Sequence, residues 1–183
     1  MADTDAAVPH QVRAIYTVRS ISFACCLLVV GLHAWERGVG AGLWIAALLH
    51  FLVYPHLAYW RSARARDPRA AEIHNLRADA FLLGIWVAGL GFPVWIAFPL
   101  VFAPALNGMI NRGLPGFGLS LALSCAGMLA GVLLTGFHYW TATSPLVTTL
   151  CFLGSLAYGA GVGYVVFRQT ERLAATRAQI RES

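Results

Sequence analysis

Residues 80–111 read AFLLGIWVAGLGFPVWIAFPLVFAPALNGMIN, and none of these 32 residues is charged. A helix needs about 20 apolar residues to cross a bilayer, so this run is too long for one helix and just long enough for two. Glycine and proline interrupt helices, and both occur in the segment 89–93 (GLGFP). The stretch therefore predicts two membrane helices joined by a tight turn.

Three more uncharged runs lie at 20–35, 38–60 and 113–167. The first two fit one helix each. The third divides at the polar, aromatic segment 139–145 (YWTATSP), which ends in proline. We expect an all-α integral membrane fold with six transmembrane helices, near 16–35, 41–60, 76–91, 93–110, 116–138 and 146–167.

The composition excludes other classes of protein. Apolar residues make up 58% of the chain and charged residues 11%, against about 25% charged in soluble domains. All 13 basic residues are arginine and lie between apolar runs, so the net charge of +5 indicates contact with membrane lipid rather than nucleic acid. The four cysteines lie within apolar runs without metal-ligand spacing, and we expect no metal site.

The arginines also predict the orientation. With the N-terminus in the cytoplasm, 12 of the 13 arginines lie on the cytoplasmic side and Arg37 alone lies outside. Since basic residues remain preferentially on the cytoplasmic side, we expect both termini there.

Polar residues at the start of the third predicted helix form the first candidate site. Asp67 and Pro68 are typical of a helix start. Glu72, Asn75 and Asp79 follow at spacings of three and four, so they share one helix face. That face is either solvated at the membrane surface or turned into the bundle.

Histidines extend the candidate site. His56 lies one turn from the cytoplasmic end of the second predicted helix, and we hypothesise that it meets Asp79, directly or through Asn75. His50 lies near mid-membrane. Intramembrane histidines also ligate haem, but none are paired here at a haem-ligand spacing, so interhelical hydrogen bonding is the favoured reading and no cofactor is expected.

Small residues mark candidate packing faces. Gly127 and Gly131 form one GxxxG pair, and Gly159 and Gly163 form another. Such faces serve either packing within the bundle or contact between protomers.

The C-terminal segment from Phe167 reads FRQTERLAATRAQIRES and favours a helix. Val166, Leu173 and Ile180 recur every seven residues, which indicates the start of a coiled coil. The chain thus divides into a cytoplasmic tail (1–14), a membrane domain (15–167) and a signalling helix (168–183) that leads toward a further cytoplasmic domain.

Two segments resemble a known family. They are 54–60 (YPHLAYW) and 67–87, in which Asp67, Pro68, Glu72, Asn75 and Asp79 are spaced as in the second family of membrane-associated sensor (MASE2) domains. The resemblance is strongest over 54–87. It implies a bacterial inner-membrane sensor located N-terminal to a diguanylate (GGDEF) or class III adenylate cyclase domain. Both cyclases act as dimers, which implies a homodimer.

We therefore expect a membrane sensory and dimerisation module that regulates an attached cyclase and is not itself an enzyme, because no catalytic motif is present. The alternatives are a small transporter or channel, a haem-binding redox protein, and an anchor that only dimerises its output domain. An apolar or lipid-like molecule in the bundle is a candidate stimulus. The candidate sensing residues are His50, His56, Glu72, Asn75 and Asp79.

Overall fold

A computed structural model describes the backbone of residues 10–182 and the side chains of residues 12–168, 170 and 171. Throughout this part of the chain the secondary structure is helical, without a strand. The elements in chain order are α1 (His10–Glu36), α2 (Ala41–Leu48), a π-helical turn (Leu49–Val53), α3 (Tyr54–Ala63), α4 (Pro68–Gly89), α5 (Val94–Thr135) and α6 (Pro145–Glu182).

Helix α2, the π-helical turn and α3 follow one another without a break and form one continuous helical rod. It is the second rod of the bundle, after α1. In the π-helical turn the N–H of Tyr54 donates to the carbonyl of Leu49, five residues earlier. Pro55 has no N–H and its ring crowds the carbonyls of the preceding turn, so a wider turn relieves a clash that a regular α-helix would retain.

The long helix α5 folds back on itself at Gly113, whose φ of 66° and ψ of −154° are not helical. A Cβ built on Gly108 would overlap the carbonyl oxygen of Gly116, and the reverse is also true, so the two backbones touch across the turn. The start of α5 also lies close to the loop that follows its end, because the N–H of Val94 donates to the carbonyl of Thr141 at 3.3 Å. The two arms of α5, residues 94–112 and 114–135, are therefore antiparallel.

Counting these two arms separately, the described chain contains six helical rods whose positions agree with the six predicted helices. The predicted turn at 89–93 is confirmed: Gly91 and Phe92 both have positive φ. Within the residues that the structure describes, four helices are long and apolar enough to span a membrane: Val12–Glu36, Ala41–Ala63, Val94–Thr135 and Pro145–Arg168. Helix α4 is not among them and α5 counts as one helix, so the six membrane spans stay a prediction.

Helix α4 starts where the sequence predicted. The side chain of Asp67 accepts a hydrogen bond from the N–H of Ala70 at 3.0 Å, and Pro68 occupies the first turn. Such a cap satisfies one of the free donors at a helix start.

The ends of the chain bear on two further predictions. Of the predicted tail 1–14, residues 10–14 belong to α1 and residues 1–9 lie outside the described part. Helix α6 runs to Glu182 without interruption. Val166 is exposed, whereas the side chains of Leu173 and Ile180 lie outside those described, so the heptad seam stays a prediction.

The two GxxxG pairs differ in their surroundings. Gly127 lies directly against the backbone of Phe81, and Gly131 against Ile85 and Ala88, so this pair packs the second arm of α5 onto α4. A Cβ on Gly159 or Gly163 would meet nothing within 4 Å. The first pair therefore builds the bundle, and the second lies on an open face of α6.

This difference predicts the effect of adding one methyl group. Gly127→Ala would place a Cβ against the carbonyl oxygen of Phe81, and we expect it to lower the free energy of unfolding by about 1–3 kcal/mol. Gly154→Ala, in the open part of α6, is the matched control and should change stability little. Unfolding in mixed detergent micelles followed by circular dichroism measures both. Equal stability of the two variants would contradict the close contact.

Candidate sensory site: a buried charge cluster

An arginine of α1 lies between two carboxylates of α4. Arg19 is 5% exposed, Glu72 3% and Asp79 5%. The Nε of Arg19 lies 2.9 Å from Oδ2 of Asp79, and its Nη2 forms an ion pair with Oε1 of Glu72. Glu72 and Asp79 are seven residues apart, about two helical turns, and so project from the same face of α4. A single guanidinium thus bridges two turns of the neighbouring helix.

The second rod supplies neutral donors to the same carboxylates. The hydroxyl of Tyr54 donates to Oδ1 of Asp79 at 2.8 Å, and that of Ser62 donates to Oε2 of Glu72 at 2.8 Å. Each carboxylate therefore contacts α1 through one oxygen and α3 through the other. The two acidic side chains join three helices.

Asn75 lies between the two acids on α4 and is 2% exposed. Its Nδ2 donates to the carbonyl of Ala58 at 3.0 Å and to the hydroxyl of Ser62 at 2.8 Å. The same nitrogen lies 3.3 Å from Oε2 of Glu72. The amide therefore holds α3 against α4 beside the ion pairs, and it orients the serine that bonds Glu72.

The formal charges of the cluster are unequal. One guanidinium faces two carboxylates, so the three side chains together carry one negative charge when all are ionised. Burial deprives each group of water, and removing one member of a buried pair leaves the other uncompensated, at a typical cost of about 3–5 kcal/mol. The cluster therefore strongly constrains how α1, α3 and α4 pack together.

The predicted grouping of Glu72, Asn75 and Asp79 on one face is what the structure shows, and that face is turned into the bundle. The hypothesised contact of His56 with Asp79 is wrong. His56 is exposed, and its Nδ1 lies 2.8 Å from the hydroxyl of Tyr16. Tyr54 and His56 are about 200° apart around the helix, so when Tyr54 faces α4, His56 cannot.

Sequence reasoning missed Arg19, Tyr54 and Ser62 as members of the site. Arg19 was counted only among the cytoplasmic charges, although two acids on an inward face require a cation from another helix. That requirement was the available signal, because an ionisable group at membrane depth is costly without a partner. The hydroxyl groups of Tyr54 and Ser62 gave no comparable signal.

His50 lies outside the cluster but next to it. It is half-buried in the π-helical turn, and its ring stacks on that of Tyr54 at a centroid distance of 5.3 Å. Within the described residues, no three His, Cys, Asp or Glu side chains are grouped as metal ligands.

These features define a class of protein: an apolar, multi-helix membrane domain with a buried charge cluster between its first helices. The comparisons identify the family. Residues 14–103, about half of the chain, match the family model of the MASE2 domain, and this match confirms the resemblance. The match includes Arg19, Tyr54, Glu72, Asn75 and Asp79 and ends within the first arm of α5.

Curated relatives agree with this family. The probable diguanylate cyclase DgcC of Escherichia coli strain K12 is 33% identical over 122 residues, which are 67% of this chain and 33% of the relative. The same figures hold for DgcC of Escherichia coli O6:H1 strain CFT073. The chain thus matches about one third of the length of these relatives. No solved structure matches it.

The cluster predicts a large effect of removing its cation. Arg19→Met keeps a similar side-chain length but leaves two buried carboxylates without a positive charge, and we expect a loss of about 3–5 kcal/mol in the free energy of unfolding. Arg13→Met changes an exposed arginine of the same helix and should cost under about 1 kcal/mol. Denaturant unfolding of the purified protein compares the two. A similar small loss in both variants would refute a structural role for the cluster.

Proposed function

We propose that this chain is the sensory and dimerisation module of a membrane-bound nucleotide cyclase, which it regulates from the N-terminal side. The observation that carries the proposal is the buried charge cluster within a MASE2 domain. Its relatives are about three times the matched length and are named as probable diguanylate cyclases, which supports a cyclase domain in the same polypeptide. Catalysis would belong to that domain, a diguanylate or a class III adenylate cyclase.

The mechanism we propose is a population shift between two arrangements of the bundle. A stimulus that binds one arrangement more tightly favours it, and the difference in affinity sets the size of the response. The charge cluster is suited to this role because displacing Arg19 changes contacts to α3 and α4 together. Helix α6 would transmit the change, since it runs without a break from the bundle to Glu182.

We further propose that all six rods cross the bacterial inner membrane and that both termini are cytoplasmic. The arginine distribution supports this orientation. The two acidic charges of α4 are compatible with a membrane position because Glu72 and Asp79 face the bundle rather than lipid. Two cation–π contacts lie near the two ends of the second rod. Arg64, just after α3, lies over the ring of Trp60 at 4.1 Å. Arg37, between α1 and α2, lies over the ring of Trp140 at 4.7 Å.

The open face of α6 supports the homodimer. Gly159 and Gly163 have free space where a Cβ would be, and Val166 one turn further on is exposed. Closely spaced glycines allow two helix backbones to approach in a membrane. A second copy docked through this face would bring two α6 helices together just before the attached cyclase domains.

The proposed topology predicts which side of the membrane a probe can reach. In a background with all four cysteines changed to serine, single cysteines at Arg66 and Arg112 should react with an impermeant maleimide only from the cytoplasmic side. Cysteines at Gly38 and Thr141 should react only from the outside. Labelling in intact spheroplasts and in inverted vesicles measures both. Labelling of Arg66→Cys and Arg112→Cys from opposite sides would contradict the six-span arrangement.

The proposed regulation predicts a change in cyclase output. In a chimera with residues 1–183 in place of the matching region of Escherichia coli DgcC, Asp79→Asn should change cyclic di-GMP production at least threefold, because it weakens the bridge to Arg19. Arg13→Met is the control, and membrane abundance is matched by immunoblot. Unchanged output at equal abundance would favour an anchor that only dimerises its output domain.

A further inference from the structure

The imidazole of His50 is surrounded by aromatic rings. It is nearly parallel to the rings of Tyr54 and Phe23, at centroid distances of 5.3 and 5.4 Å and interplanar angles of 9° and 15°. Phe51 and Trp86 present edge-on contacts at 4.9 and 6.1 Å. Four aromatic side chains from three rods thus fix the plane of this histidine.

The Nε2 atom of His50 is enclosed and has no hydrogen-bond partner among the residues that the structure describes. A neutral imidazole offers one donor and one acceptor, and an enclosed polar nitrogen without a partner is unfavourable. The hydrocarbon region holds no bulk water to compensate. This anomaly, together with the packing that holds the ring in place, indicates a partner that the bundle itself does not supply.

The backbone around His50 is also irregular. His50 belongs to the π-helical turn 49–53, and such turns occur frequently at functional sites. Pro55 has no N–H, so it cannot donate to the carbonyl of His50, five residues earlier. Leu49, Leu52 and Val53 around the turn are exposed, which places the site next to the lipid.

We propose that His50 is a binding site for an apolar molecule with one hydroxyl or carbonyl oxygen, which hydrogen-bonds Nε2 and packs its apolar body against the surrounding rings. A single polar atom in an aromatic surround favours such a ligand over an ion or a highly polar molecule. The proposal rests on the sensory function proposed above and names the ligand class for it.

Tyr54 connects this site to the charge cluster. Its ring stacks on His50, and its hydroxyl donates to Asp79, which pairs with Arg19. A ligand that shifts the imidazole therefore shifts the tyrosine, and with it a hydrogen bond to the bridge between α1 and α4. Occupancy at His50 and the geometry of the cluster are coupled through one side chain.

The test uses dodecan-1-ol as the probe and dodecane as the control without a hydroxyl group. The full chain, labelled with 15N-histidine, is placed in nanodiscs of diether phosphatidylcholine, which has no ester carbonyl. We expect a saturable change of the His50 nitrogen resonances with dodecan-1-ol and none with dodecane. His50→Phe assigns those resonances by their loss, and the other five histidines serve as internal references.

Variants separate the hydrogen bond from the packing. His50→Phe keeps a flat ring without the nitrogen, and it should lower the affinity for labelled dodecan-1-ol at least tenfold. His50→Gln keeps a polar group near the position of Nε2 and should restore part of the affinity. His56→Phe, in the same rod, should bind like the wild type. Circular dichroism and gel filtration check folding, and His50→Gln remains informative if His50→Phe does not fold.

The source of the oxygen is tested by lipid choice. A carbonyl from membrane lipid would change the His50 resonances on moving from diether to diester phosphatidylcholine, and dodecan-1-ol would then compete with it. A free amphiphile would act equally in both lipids. Either result supports the proposal.

The proposal is overturned if dodecan-1-ol causes no saturable change, if dodecane causes the same change, or if His50→Phe binds the probe like the wild type. None of these measurements involves cyclase output. Failure here would therefore remove the ligand site at His50 while leaving the proposed regulation to be decided by the chimera.

Discussion

The packing of this domain depends on one buried guanidinium. Arg19 pairs with both Glu72 and Asp79, which lie two helical turns apart on α4. Because charges at membrane depth are costly when separated, the register of α1 against α4 follows from electrostatics rather than from apolar contact alone. Tyr54 and Ser62 then fix α3 through the remaining carboxylate oxygens. A change at this point reaches three helices at once.

The second constraint is close backbone contact. Gly127 and Gly131 let the second arm of α5 lie directly on α4, and Gly108 and Gly116 do the same between the two arms. Helix α4 is therefore held by ion pairs on one side and by glycine contacts on another. In contrast, α6 has open glycines along its length, so the part of the molecule suited to meeting a partner is distinct from the part that forms the bundle.

The sequence predicted the structure well where a residue type has one dominant structural preference. Uncharged run lengths located the rods, the segment 89–93 located a turn, and Asp67 with Pro68 located the start of α4. The spacing of Glu72 and Asp79 placed them on one face. The sequence failed where the answer depended on rotation of the second rod: Tyr54 and His56 are both polar and two residues apart, and only packing decides which faces inward. Arg19 was overlooked because an arginine near a helix end usually indicates orientation.

Arg19 and Asp79 stabilise the bundle through their ion pair. A double-mutant cycle measures this directly, using the wild type, Arg19→Met, Asp79→Asn and the double variant, with reversible unfolding in mixed micelles as the readout. We expect a coupling free energy of at least about 1.5 kcal/mol, because each single substitution already breaks the ion pair and leaves the other residue buried without this partner. Single-variant costs that add to within about 0.5 kcal/mol would show that the two residues act independently and would contradict it.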